Sequence, residues 1–198
     1  MTKRIIGLTG GIATGKTTVA NYLASAYNLT ILDADIYARD AVSLGSPILQ
    51  AIAQRYGEKI LLADGSLNRQ KLGEIIFNNQ EERKYLEDLI HPYVRDRFVV
   101  EMESFASLPA QILILVVPLL FEAEMTHLVT EIWVVSCSFE QQLQRLIQRN
   151  SLSLEQAQAR IRSQIPIAEK VARADVVLDN SSTLEALLKQ IDTAILKN

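Results

Sequence analysis

The feature that most constrains this chain is a glycine-rich segment near its start, directly after an apolar run. Residues 10–17 read Gly-Gly-Ile-Ala-Thr-Gly-Lys-Thr and match the phosphate-loop pattern G-x-x-x-x-G-K-[ST]. Glycine permits the unusual dihedral angles and the close approach with which consecutive N–H groups surround an oxyanion. In this motif Lys16 reaches the β and γ oxygens, and the Thr17 hydroxyl binds Mg²⁺. The segment therefore predicts a nucleoside triphosphate site.

The residues on either side of the loop predict the strand, loop and helix order that this motif requires. Residues 5–9 read as a buried strand, and Val19, Leu23 and Ala26 recur at helical spacing after the loop. The positive end of that helix would lie beneath the phosphates. A glycine-rich turn that binds no ligand is the alternative, and this context disfavours it.

Composition and charge are those of a folded globular enzyme. The 198 residues are 48% hydrophobic and 22% charged. A net charge of −3 gives no reason to expect a nucleic acid or an anionic membrane as partner. The longest apolar stretch, residues 112–121, contains Pro118 and is too short to span a bilayer. No signal peptide is expected, so we predict a cytoplasmic protein, either a monomer or a small homo-oligomer.

The lone cysteine, Cys137, excludes an internal disulfide and a cysteine-based metal cluster. We expect it to be a small buried hydrophobic residue at a strand end.

The fold class follows from apolar runs that alternate with helical patterns. The runs are residues 5–9, 30–33, 112–117, 132–136 and 176–179. Near-continuous apolar strands of this kind predict an α/β protein whose parallel sheet is covered on both faces. Capping-box patterns at Ser138–Gln141 and Ser153–Gln156 predict two helix starts, and an apolar stripe over residues 184–195 predicts the last helix.

A long interval separates the second predicted strand from the third. A crossover connection needs only about a dozen residues, so residues 36–105 are predicted to form a helical insertion. Ligands of open parallel sheets bind beyond the carboxyl ends of the strands, and an insertion that leaves there can hold a second substrate. We therefore predict a core of residues 1–35 and 106–198, with a lid at about 138–170.

Two carboxylates follow the second predicted strand, in the segment Asp33-Ala34-Asp35. A carboxylate there can accept the proton of a hydroxyl that attacks a γ-phosphate. Aspartate is also a favoured residue at a helix start, and a helix is predicted from Ile36. We assign the base to Asp33 and either a cap or a ribose contact to Asp35.

Basic residues are concentrated toward the C-terminal part of the chain. Residues 145–173 contain five Arg and one Lys against two Glu, a net charge of +4 in an acidic protein. Arg145 and Arg149 are four apart and project from one side of a helix. Such cations can close over a polyphosphate and stabilise charge on the transferring group. A solvated helix face is the alternative for any single arginine.

One further titratable residue, His91, is followed by a proline. A structural histidine is the more frequent case, and a substrate contact stays open.

Across nearly its whole length the chain resembles the dephospho-CoA kinase family, a nucleoside-monophosphate-kinase-like branch of the P-loop NTPase fold. The resemblance rests on residues 6–12 with Gly15-Lys16-Thr17, Asp33-Ala34-Asp35, Asp64–Arg69, His91-Pro92, Pro118–Glu122, Gln142–Arg145, Arg149, Gln164, Ala174-Asp175 and Asn180. It implies a five-stranded parallel sheet in the order 2-3-1-4-5, flanked by helices, with a helical substrate-binding insertion and a lid. The implied reaction transfers the ATP γ-phosphate to the ribose 3′-hydroxyl of dephospho-CoA, with Mg²⁺ as cofactor.

The resemblance also implies roles for individual residues. Asp33 resembles the base, and Lys16 and Arg145 the cations of the transfer. The residues expected to bind ATP are Gly11, Ile12, Ala13, Thr14, Gly15, Lys16, Thr17, Thr18, Arg145 and Asn180, with Thr17 on the metal. The residues expected to bind the acceptor are Asp33, Asp35, Arg69, His91, Pro118, Leu119, Leu120 and Glu122.

The chain departs from the family pattern at two positions. Val116, two residues before Pro118, stands where many members have an acidic residue. A strand-end carboxylate for Mg²⁺ is therefore missing, and Asp33 or Glu122 is expected to help hold the metal from its outer shell. Asn68 replaces the usual aspartate before Arg69.

Other functions are weighed against this one. Another small-molecule kinase would use the same loop, base and lid. A GTPase is disfavoured because no Asn-Lys-x-Asp element occurs. A regulatory ATP-binding module without transfer activity would not need a base and a lid together.

Overall fold

The computed structural model describes residues 3–77, 79–109 and 112–196. The chain divides into two compact units, Met1–Asp33 with Pro109–Asn198 and Ala34–Leu108. The helices are α1 Lys16–Tyr27, α2 Ala34–Ala41, α3 Pro47–Tyr56, α4 Arg69–Phe77, α5 Gln80–Ala106, α6 Phe139–Asn150, α7 Leu154–Arg162, α8 Ile167–Ala172 and α9 Leu184–Ile195. None of the helices in these described ranges is long and apolar enough to cross a membrane.

The first unit is built on a parallel sheet. Its strands are β1 Arg4–Gly10, β2 Thr30–Asp33, β3 Ile112–Val116, β4 Glu131–Ser136 and β5 Val176–Asp179. They lie in the order β2-β3-β1-β4-β5, and every neighbouring pair is parallel. The expected five-stranded sheet and its strand order are therefore confirmed.

Apolar side chains make the centre of this sheet the core of the first unit. Ile6 and Leu8 of β1, Ile114 of β3 and Trp133 of β4 are fully buried and belong to one apolar cluster. Strands that are covered on both faces need such near-continuous apolar sequences. Cys137, just after β4, is buried as expected, and burial raises the pKa of its thiol.

The last helix packs on the first one through apolar and polar contacts. Leu187 and Ile191 of α9 are fully buried in the same cluster. The hydroxyls of Tyr22 and Tyr27 on α1 both donate to Asp192 Oδ1 at 2.7 Å. These hydrogen bonds to a carboxylate raise the pKa of Tyr27 to about 12.

Both predicted capping boxes are present. The Ser138 and Ser153 side chains accept from the backbone N–H groups of Gln141 and Gln156, whose side chains accept from the backbone N–H groups of the serines. These reciprocal bonds satisfy N–H groups that a helix start leaves unpaired. They fix where α6 and α7 begin.

The second unit, Ala34–Leu108, is helical. Its core is an apolar cluster that includes Leu49, Ile52, Ile60 and Leu86. Asn68 precedes α4, and its Oδ1 accepts from the Lys71 N–H at 3.0 Å. Asparagine thus caps α4 at the position where the family resemblance leads us to expect aspartate. The two residue types have similar preferences for the N-cap of a helix.

Candidate active site

The phosphate loop leaves β1 with a backbone that only certain residues tolerate. Gly10 has φ 148°, Ala13 φ 59° and Gly15 φ 109°. A Cβ atom on Gly10 would also collide with the carbonyl oxygen of Val135 on β4. Glycine at position 10 therefore satisfies both the backbone angle and the close approach of two strands.

Side chains bind the carbonyl oxygens of this loop. The Lys16 ammonium donates to Gly10 O at 3.1 Å and to Gly11 O at 2.8 Å. The Thr14 hydroxyl donates to Gly11 O at 2.9 Å. These bonds hold the curl of the loop, and they place the predicted phosphate-binding lysine directly over it.

Asn180 and Arg145 join the loop from two other elements. Asn180, just after β5, donates from Nδ2 to Thr14 O at 2.8 Å, and its own carbonyl accepts from Arg145 Nη2 at 3.0 Å. Arg145 Nη1 is buried and has no hydrogen-bond partner within the described ranges. A buried donor of this kind needs an acceptor. An anionic ligand at the loop would supply one, so the site fits a nucleotide phosphate.

Two glutamines that no sequence-based role covered also contact the loop. Gln142 Nε2 donates to Ile12 O at 2.7 Å, and the Ile12 N–H donates to Gln164 Oε1 at 2.8 Å. Ile12, predicted to bind ATP, therefore has protein partners for both backbone groups. Gln142 could have been singled out from the sequence. It lies four residues before Leu146 and is therefore a polar residue on the buried stripe of α6.

Asp33 stands at the carboxyl edge of the sheet. The register sets Asp33 of β2 beside Val116 of β3, and Val116 beside Leu8 of β1. Two strand spacings correspond to roughly 10 Å, so the backbone of Asp33 lies about that far from Leu8, on the strand that leads into the phosphate loop. Val116 itself is 4% exposed and supplies no carboxylate.

Asp35 does not occupy the capping position that was one of its two predicted roles. Helix α2 begins at Ala34, and Asp35 lies within its first turn. An acidic residue at this position still interacts favourably with the helix dipole. A ribose contact stays a prediction.

The turn after β3, predicted to contact the acceptor, is partly internal. Leu120 is fully buried, so its side chain packs in the core and any ligand contact would use its backbone. Glu122 Oε1 accepts from Lys170 Nζ at 2.8 Å and from the Ile165 N–H at 3.0 Å. Lys170 is fully buried and also donates to Pro118 O at 3.3 Å. The predicted wall residue Glu122 thus connects this turn to α8 and the residues before it.

The remaining predicted acceptor residues lie in the helical unit. Arg69 is exposed at the start of α4 and donates from Nη2 to Arg39 O at 3.4 Å. His91 is half-buried within α5, which continues through Pro92. The positions of Arg69 and His91 are compatible with a substrate contact, and their predicted roles stay predictions.

The model of the CoaE family, dephospho-CoA kinase, matches residues 4–186. The chain belongs to this family. A dephospho-CoA kinase of Trichormus variabilis is 73% identical over 195 residues, which are 98% of each chain.

Solved structures agree with this family assignment. The dephospho-CoA kinase from Campylobacter jejuni is 30% identical with a TM-score of 0.72, covering 98% of this chain and 96% of that one. The structure of TT1252 from Thermus thermophilus is 32% identical with a TM-score of 0.80 and covers 100% of both chains. The protein is therefore a member of a kinase family that uses ATP.

The donor set at the loop suits Mg²⁺ held mainly by a nucleotide. Over the described ranges, no group of three or more His, Cys, Asp or Glu side chains is arranged to hold a metal. Thr17, one residue after Lys16, has an exposed side chain. Mg²⁺ commonly keeps several waters and takes few protein ligands beside substrate phosphates. A single hydroxyl at the loop fits that mode of binding.

Proposed function

We propose that this protein transfers the γ-phosphoryl group of ATP to the ribose 3′-hydroxyl of dephospho-CoA. The products are CoA and ADP, and the reaction is the last step of coenzyme A biosynthesis. The observation that carries this proposal is the family match over residues 4–186, which spans the phosphate loop and the helical insertion together.

Asp33 is the proposed general base. It would accept the proton of the 3′-hydroxyl as that oxygen attacks the γ-phosphorus, and the bond from this phosphorus to the β,γ-bridging oxygen breaks. Its support is its place in the sheet register, level with the end of β3 and two strands from the loop.

The phosphate loop would bind the triphosphate through Lys16 and through backbone N–H groups of residues 11–18 other than that of Ile12, which donates to Gln164. Thr17 would place its hydroxyl on Mg²⁺, which neutralises developing charge when it is bound. Both bonds to Glu122, from Lys170 and from Ile165, use Oε1, and its buried Oε2 has no hydrogen-bond partner among the described residues, so we assign any outer-shell help toward the metal to Asp33 or Glu122.

Arg145 is proposed to stabilise charge during transfer, and Asn180 to lie near the adenine end. Support comes from the bond between these two residues and from the buried Nη1 of Arg145, which has no partner in the part of the chain that the structure describes. A preorganised cation in a site shielded from water is worth far more than one in solvent.

The residues proposed to bind the acceptor are Asp33, Asp35, Arg69, His91, Pro118, Leu119, Leu120 and Glu122. A cytoplasmic location, a monomer or small homo-oligomer, and the absence of nucleic-acid and membrane partners are parts of the same proposal.

The test is a coupled ADP-release assay with Mg-ATP that compares dephospho-CoA with adenosine, AMP and no acceptor. We expect turnover with dephospho-CoA alone and a product heavier by one phosphoryl group. Turnover with another acceptor only would keep a kinase and refute this substrate. An ADP-release rate that is the same with each acceptor as without any acceptor would refute the transfer.

A further inference from the structure

Ile12 in the phosphate loop is held by two side chains from distant parts of the chain. Its carbonyl accepts from Gln142 Nε2 at 2.7 Å, and its N–H donates to Gln164 Oε1 at 2.8 Å. The two groups belong to consecutive peptide planes, one on each side of the Ile12 Cα. Together the glutamines fix the orientation of both planes.

Holding the Ile12 carbonyl also aims the next N–H group. In a planar trans peptide the C=O and N–H bonds point in opposite directions. The Ala13 N–H shares its plane with the Ile12 carbonyl and therefore points away from Gln142. Ala13 lies in the left-handed region, with φ 59°, which a non-glycine residue adopts only where its surroundings hold it. The bond from Gln142 acts on the peptide directly before it.

The hydrogen-bond direction at each glutamine is dictated by the backbone. A backbone N–H can only donate and a carbonyl can only accept. Gln164 must therefore present its oxygen and Gln142 its nitrogen. A carboxylate accepts hydrogen bonds but does not donate them. A glutamate at position 164 could therefore still bind the Ile12 N–H, whereas a glutamate at position 142 could not bind the Ile12 carbonyl.

Both glutamines are set firmly in the structure. Gln142 is 3% exposed, and a Cβ atom on Gly11 would lie 2.5 Å from its Nε2, so glycine at position 11 leaves room for this side chain. Gln164 is followed by Ile165, whose N–H donates to Glu122 Oε1 at 3.0 Å. The buried Lys170 pairs with the same carboxylate oxygen at 2.8 Å.

We propose that Gln142 and Gln164 are positioning residues for ATP: they clamp the two peptide planes at Ile12 and thereby set the phosphate-binding N–H group of Ala13. The clamp also ties the phosphate loop to α6 and to the connection between α7 and α8. This inference rests on the proposed function for the identity of the nucleotide.

The test compares three variants with the same change in charge: Gln142→Glu, Gln164→Glu and, as a control, Gln144→Glu on the exposed side of α6. The dissociation constant for Mg-ATP is measured by titration calorimetry without any acceptor. We expect Gln142→Glu to weaken ATP binding about tenfold or more, because the partly buried Ile12 carbonyl loses its donor and faces a carboxylate. Gln144→Glu should stay within about threefold of wild type, and Gln164→Glu, which keeps its acceptor, should lose clearly less affinity than Gln142→Glu.

Equal losses in both clamp variants would show an effect of charge alone and overturn the proposal. Wild-type affinity in Gln142→Glu would overturn it as well. If that variant does not fold, Gln142→Met removes the donor without adding a charge, and the same loss is expected. Because the measurement uses ATP alone, it stays decisive even if dephospho-CoA is not the acceptor.

Steady-state kinetics provide a second readout that a merely structural role would not move. In Gln142→Met the KM for ATP should rise while the KM for the acceptor is unchanged. Parallel increases in both constants would contradict a role at the nucleotide.

Discussion

The two units of this molecule differ in the polar contacts that order them. In the sheet unit, side chains of Gln142, Gln164 and Asn180 bond to backbone groups of the phosphate loop. In the helical unit, the best-defined polar cluster joins side chains to side chains. The comparison indicates that the first unit positions peptide groups for a small anion, whereas the second presents helices around a packed core.

The helical unit's cluster centres on Glu82. Arg55 donates to both carboxylate oxygens, at 2.7 and 2.9 Å, and the Tyr56 hydroxyl donates at 2.5 Å. The Arg55 guanidinium also lies 4.1 Å from the centre of the Tyr85 ring. These donors hold the pKa of Glu82 down at about 2. Changes in this cluster should alter stability, while changes at the loop should alter turnover.

The largest expected effect is that of Asp33→Asn on turnover. The amide keeps the shape of the side chain but accepts no proton, so kcat should fall about 10²–10⁴-fold. Mg-ATP affinity should stay near wild type, as calorimetry would show. Full activity in this variant would remove Asp33 from the mechanism.

Arg145→Ala is expected to have the next largest effect. Loss of one preorganised cation should lower kcat/KM by about 10²-fold or more. Arg149→Ala on the same helix is the matched control, because Arg149 is exposed and its Nε donates to the neighbouring Asn150. An unchanged kcat/KM in Arg145→Ala would remove this residue from the transfer step.

Lys170→Met tests whether the sheet unit also depends on a buried ion pair. Removing the fully buried ammonium leaves Glu122 uncompensated, and the free energy of unfolding should fall by about 3 kcal/mol. Adding Glu122→Gln should recover part of that loss, since no unpaired carboxylate then remains. Denaturant titration measures the free energy of unfolding of the single and the double variant. An unchanged value in Lys170→Met would show that the ion pair contributes nothing.

The smallest expected effect is pH-dependent and belongs to the helical unit. The folded-state pKa of Glu82, about 2, lies below its ordinary value of 4.5, so its ion pair stabilises the protein above pH 4.5. That stabilisation is lost as the pH falls from 4.5 toward 2. Glu82→Gln should have a lower Tm than wild type at pH 7, and the difference should shrink over this window. A constant difference would assign the effect to packing.

Local patterns were sufficient to predict the strands and the capped helices. The runs at 30–33 and 176–179 are strands with those bounds, and the boxes at Ser138 and Ser153 begin α6 and α7. Each of these signals acts within a few residues, so it can be recognised without knowledge of the fold. The strand order, by contrast, came from the family resemblance.

Contacts between distant residues could not be predicted in this way. Gln142 and Gln164 are 130 and 152 residues from Ile12 along the chain, and only folding brings them to the loop. The burial of Leu120 and the pairing of Glu122 with Lys170 likewise depend on how the turn after β3 packs. A motif identifies which residue types are needed, whereas tertiary packing decides which of their atoms remain for a ligand.

The most direct test of the central claim, transfer to the ribose 3′-hydroxyl, uses acceptor analogues that lack one hydroxyl. ADP release is measured with dephospho-CoA, its 3′-deoxy analogue and its 2′-deoxy analogue at equal concentrations. We predict turnover with the parent and the 2′-deoxy compound and none above the acceptor-free rate with the 3′-deoxy compound. Phosphorylation of the 3′-deoxy analogue, shown by product mass, would contradict the claim.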